Sequence, residues 1–132
     1  MHDELLPMPV SAMCSFIAAA VRPHGDFRAD VDLSRRYPAV IISQGSGSDH
    51  WARITLGDEV FSLNVDRGYQ LFSLELGASE QAGLLEELVG LATTYLQGKF
   101  SLEAGRSWLG RERSRMTISY GGTDHVLSAM RR

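Results

Sequence analysis

One cysteine, Cys14, occurs in the 132 residues, so the chain forms no internal disulfide and fits a reducing compartment. Apolar runs are short, none approaching the roughly 20 residues that cross a bilayer, and no membrane association is expected. Pro and Gly enrichment of the kind that keeps chains disordered is missing, with 4 Pro and 13 Gly beside 44% hydrophobic residues. The spacings H-x-x-x-H, C-x-x-C and H-E-x-x-H do not occur, which leaves no expectation of a metal. Gly45-Ser46-Gly47-Ser48 lacks the lysine and the following helix of a phosphate-binding loop, and it fails G-x-S-x-G. It is expected to be a hairpin loop. No cofactor is implied, and no residue is assigned a catalytic role.

The composition that remains, with 22% charged residues, suits a single domain over 1–132 with one core. Charge is unevenly distributed. Residues 1–90 carry six arginines against thirteen acids, net −7, whereas 91–132 carry six arginines and Lys99 against three acids, net +4. The basic cluster Arg106, Arg111, Arg113 and Arg115 is local, whereas a nucleic-acid binder carries its basic excess over the whole domain, so no nucleic-acid partner is expected. Val10 to Val21 has the length of a signal core, but Asp3 and Glu4 precede it and Arg22-Pro23-His24 follow it. The stretch is read as a helix of a cytoplasmic protein.

Val10, Met13, Cys14, Phe16, Ile17, Ala20 and Val21 share a helical face, predicting a helix over 9–22 that Pro23 ends. Residues 23–36 read as a loop or edge strand. The β-branched run Ala39–Ser43 and the alternating segments His50–Leu56, Val60–Val65 and Tyr69–Leu76 predict a four-stranded antiparallel meander, its last two turns three residues each. Leu84, Leu85, Leu88, Val89, Leu91, Ala92, Tyr95 and Leu96 form a broad stripe on a second helix, with Ser79 as expected N-cap and Gly98 as C′ residue. Residues 99–113 read as a connection. A hairpin of 115–120 and 123–130 about Gly121-Gly122 closes the chain. The expected fold class is α+β, an antiparallel sheet (four-strand meander plus C-terminal hairpin) packed with an N-terminal and a central helix.

Asp49-His50 and Asp124-His125 are adjacent acid–histidine pairs, and neighbours on a strand point to opposite faces, so neither is expected to act as a catalytic dyad. Cys14, among apolar residues, is expected in the core. Trp51, Tyr69, Trp108 and Tyr120 are either core aromatics or interaction anchors. If Ala52, Ile54 and Leu56 face a helix, Trp51 lies on the other face with Arg53 and Thr55, where an uncovered indole needs a partner. Asp49, Asp58, Glu59 and Asp66 at strand ends would form an acidic rim suited to a basic surface. The candidate partner-binding set is therefore Trp51, Asp49, Arg53, Asp58, Glu59 and Asp66.

Over Trp51–Gly98, about a third of the chain, the tract Phe61-Ser62-Leu63-Asn64-Val65-Asp66-Arg67-Gly68-Tyr69 leads into Ser79–Gly98 and ends in Tyr95-Leu96-Gln97-Gly98. This region resembles the small α+β immunity proteins of bacterial polymorphic toxin systems, in particular the actinobacterial type that neutralises NAD-hydrolysing toxins. The resemblance implies a cytoplasmic, non-catalytic inhibitor that binds a cognate toxin one to one and blocks its active site. The order helix, meander, helix, hairpin is also similar to type III secretion chaperones, which implies a homodimeric adaptor holding an effector segment. Those chaperones usually end with a third helix, and residues 123–132 do not read as one. The expected partner is thus a protein, toxin or effector, bound by a monomer or a homodimer. A small enzyme using an Asp–His pair is the third alternative.

Overall fold

The computed structural model describes residues 9–44, 49–57, 60–74, 78–106 and 112–129. The first helix, α1 (Val10–Val21), follows Pro9, whose extended backbone supplies the N-cap position, and passes into a 3₁₀ turn at Arg22–His24 as Pro23 stops the α-helical ladder. It buries Met13, Cys14, Ile17 and Val21 and packs Phe16 and Ala20 partly buried against the core, whereas Val10, expected on the same face, is exposed in the first turn. Cys14 is buried as expected, and burial raises its thiol above the ordinary range.

Five strands follow: β1 (Phe27–Asp32), β2 (Ala39–Gln44), β3 (Trp51–Leu56), β4 (Val60–Val65) and β5 (Tyr69–Leu74). The long helix α2 (Ala78–Leu96) then leads to β6 (Ser101–Arg106), β7 (Glu112–Tyr120) and β8 (Thr123–Ala129). All pairings are antiparallel and the strand order is β1-β2-β3-β4-β5-β8-β7-β6. The class is α+β, as expected, but the sheet has eight strands where a four-strand meander and a separate hairpin were read. Three features account for the difference. Residues 27–32 form an edge strand on β2, since the weak alternation of Phe27, Ala29 and Val31 suffices when only one neighbour must be matched. Residues 101–106, part of the expected connection, pair with β7, an association set by tertiary contact, because Glu, Ala and Gly carry little strand propensity of their own. The last hairpin joins the meander where Tyr69 and Gln70 of β5 meet Ala129 and Ser128 of β8.

Both helices pack on one face of the sheet and against each other, enclosing Ile17, Val40, Ile42, Ile54, Phe61, Leu63, Leu85, Leu88, Met116, Ile118 and Leu127 in one cluster. Helix α2 begins at Ala78, one residue before the expected cap Ser79. Its far end closes as predicted. Gly98 takes φ +79°, its N–H donates to Tyr95 O at 2.9 Å and the N–H of Lys99 donates to Thr94 O at 3.2 Å, a Schellman closure. Gly90 brings α2 down onto β7, because a Cβ at that position would fall inside the Tyr120 ring.

Candidate interaction surface

Strand alternation decides what the helices leave uncovered. On β3, Ala52, Ile54 and Leu56 are buried against the helices, while Trp51, Arg53 and Thr55 are half-buried on the opposite face, the division expected from sequence. Cross-strand register carries that face across the whole sheet. One row runs Asp30, Ile41, Arg53, Asn64, Gln70, Ser128, Arg115 and Glu103 through all eight strands in order. Among the described residues no helix packs on this side.

The middle of the face is polar and ordered by its own contacts. The Arg53 guanidinium lies over the Trp51 ring, 5.2 Å from its centroid. Burial, and then the like charge of Arg35, lower the Arg53 value against the opposing pull of Asp32, and the group remains a cation at neutral pH. Asn64 and Ser62 are buried although they point away from the helices, since Arg53 and Gln70 flank one and Thr55 and Phe72 the other. Ser62 Oγ donates to Asn64 Oδ1 and Asn64 Nδ2 donates to Gln70 Oε1, each at 3.4 Å. Beside this polar centre are two apolar side chains: Phe72, 62% exposed, and Val126, also exposed. The pairing of Gln70 with Ser128 sets both on the uncovered face.

The acidic residues divide differently from a single rim. Asp49 is exposed beside Trp51. Asp66 is not a rim charge: only 16% of its side chain is accessible, and its carboxylate joins three elements. It accepts from the Tyr95 hydroxyl at 2.5 Å and the Trp51 N–H at 3.0 Å and meets His50 Nδ1 at 2.7 Å. Burial alone would raise the Asp66 carboxyl, but the bonds from Tyr95, His50 and Trp51 outweigh it and the net shift is downward. The same contact, added to burial, pushes the Tyr95 hydroxyl above the ordinary phenol range. Asp58 and Glu59 lie outside the described residues. Their neighbours Gly57 and Val60 are at the opposite end of β3 and β4 from Trp51 and Asp66, a strand length of roughly 17–20 Å away.

Each of these two histidines finds a carboxylate distant in sequence: His50 meets Asp66, and His125 meets Glu87 of α2 at 3.4 Å. Sequence adjacency excluded the pairs Asp49-His50 and Asp124-His125 but carried no signal for these, which depend on tertiary placement. Trp108 lies outside the described residues. Tyr120, seated against Gly90, and Tyr69 are both partly buried and pack at the core margin. A shallow cleft of about 240 Å³ between His24, Gly25, Asp26, Phe27, Gln44 and Gln97 is smaller than the pockets that enclose small ligands. Among the described residues no group of three or more His, Cys, Asp or Glu is placed to hold a metal ion, and no helix is long and apolar enough to cross a membrane. Comparison with protein-family models, with curated proteins and with solved structures gave no match.

Proposed function

We propose that this chain is a non-catalytic, protein-binding inhibitor of the immunity type, which neutralises a cognate bacterial toxin by laying its uncovered sheet face over the toxin's active site. The observation that carries the reading is the uncovered face itself. It combines an Arg-stacked tryptophan with a 62% exposed phenylalanine on paired strands. Trp and Arg dominate binding hot spots, and anchors on strands lose little conformational freedom on binding. The resemblance of Trp51–Gly98 to immunity proteins supports the same reading.

The Asp66–His50 contact has the spacing of a catalytic carboxylate–imidazole pair. Its carboxylate, however, also holds the Trp51 backbone and Tyr95, which favours a structural role. The chaperone-type alternative draws on exposed Phe72 and Val126. Against it, residues 123–129 form the strand β8 where the third helix of those chaperones would start.

The test is affinity capture of the tagged protein from its own source cells, with mass spectrometry and stoichiometry of the eluate. One secreted-type toxin domain at one to one is the expected recovery, and Arg53→Glu, folded by circular dichroism, is expected to lose it. Recovery of the protein alone, or a toxin retained equally by the variant, contradicts the proposal.

A further inference from the structure

Among the described residues, β1 and β6 at the two edges of the sheet each have a strand partner on one side only, and exposed edges invite pairing unless side chains prevent it. A strand guarded by charges of one sign repels its own copy. Strand β1 is different: its uncovered-face residues include Arg28 and Asp30, two positions apart and centred on Ala29, with exposures of 69% and 57%. In an antiparallel pair of two β1 strands about a twofold axis at Ala29, the position opposite Arg28 is Asp30 of the other copy, and the reverse holds on the far side of the axis. The helix-side residues then meet as Phe27 against Val31, both apolar. Val31 is 50% exposed in the single chain and Leu33, just beyond the strand, 69%, an apolar strip that the single chain does not cover.

The one like-charge juxtaposition in this register, Asp26 opposite Asp32, is moderated within each chain. Asp32 already accepts from Ser34 N–H at 2.9 Å and Ser34 Oγ at 2.5 Å and lies 3.7 Å from the Arg35 guanidinium. Shifting the register by two places Asp30 against Asp30, a repulsion on the axis itself. Pairing β1 with β6 of another copy is heterologous and builds an open chain, whereas the β1 pair closes after two subunits.

We propose that the chain self-associates through β1, with Arg28 of each copy facing Asp30 of the other, to form a twofold dimer with one continuous sixteen-stranded sheet. The axis runs perpendicular to the sheet, so both uncovered faces point the same way, each with its own Trp51 and Arg53. The dimer does not depend on which protein those faces engage.

Sedimentation velocity from 1 to 100 µM tests it, these being concentrations where weak, transient dimers are detected, on the order of Kd 10⁻⁶ to 10⁻⁴ M. The native chain is expected to move from 14.5 kDa toward twice that mass with concentration. Arg28→Asp and Asp30→Arg, each checked for fold by circular dichroism, are each expected to remain monomeric. Mixed together they are expected to form a heterodimer, because both pairs between positions 28 and 30 in that combination are again of opposite sign. The mixture separates this interface from the intrachain Arg28–Asp30 pair at 3.4 Å, which neither single variant retains. A mixture of Glu103→Arg and Arg115→Glu, at exposed positions on β6 and β7, serves as control for general charge attraction. A native chain monomeric at 100 µM, single variants that still dimerise, or a mixture that gains no more mass than the control would each overturn the proposal.

Discussion

Asp66 is the residue on which most of the local architecture converges. Its carboxylate ties the start of β3, the β4–β5 turn and the last turns of α2 together, so its protonation weakens three connections at once. An unfolded aspartate titrates near pH 3.9, and the folded group titrates lower. Between those values the unfolded chain binds the proton and the folded chain does not. The stability Asp66 contributes is therefore present above about pH 4 and is lost as pH falls through the folded value. Asp66→Asn is expected to lower stability at pH 7 and to flatten the acid side of a denaturation profile between about pH 5 and 2, measured by urea unfolding. Gly90 gives a second prediction at this scale. Gly90→Ala sets a methyl into the Tyr120 ring and is expected to cost about 1–3 kcal/mol in thermal unfolding, a cost expected to shrink when the same change is made in a Tyr120→Ala background. The sequence marked Asp66 as acidic and near Trp51 but gave no sign that it points inward, since the Tyr95 bond spans 29 positions of chain.

Among the elements, those with strong local signals were legible. Both helices and β2 to β5 follow from periodicity, and the turns follow from glycine: Gly121 and Gly122 take φ of +62° and +81°, the pair of left-handed residues a two-residue hairpin needs. Gly98→Ala is expected to destabilise the chain by about 1 kcal/mol through the Schellman closure, read as a lower Tm with unchanged helix content. Of the two edge strands, β1 was one of two alternatives for residues 23–36 and β6 was missed. β6 has its ladder partner in β7 and an otherwise unremarkable sequence, so strand character there is conferred by the neighbour and not by the residues. Helix α2 is where the fold is most exposed to disruption. Leu88 is fully buried on it, and Leu88→Asp, which puts a charge in the core with no partner, is expected to abolish cooperative unfolding by circular dichroism.

Across the whole molecule, the strand order places β6 and β7 at the edge of the sheet far from β1. That order was not readable from the chain, because it depends on β8 joining β5 and thereby placing β6 outermost. The division of β3 into a buried and an uncovered face was readable, from Ala52, Ile54 and Leu56 against Trp51, Arg53 and Thr55. The central claim is that this uncovered face binds a protein through Trp51 and Arg53. The most direct measurement is calorimetric titration of the captured partner against native protein, Trp51→Ala, and the control Glu86→Arg at an exposed position on α2. A hot-spot tryptophan is worth about 2 kcal/mol or more, so Trp51→Ala is expected to weaken binding at least about 30-fold with its melting profile retained, while Glu86→Arg binds as the native chain does. Equal affinity for Trp51→Ala and native protein, or a loss confined to Glu86→Arg, would contradict the account.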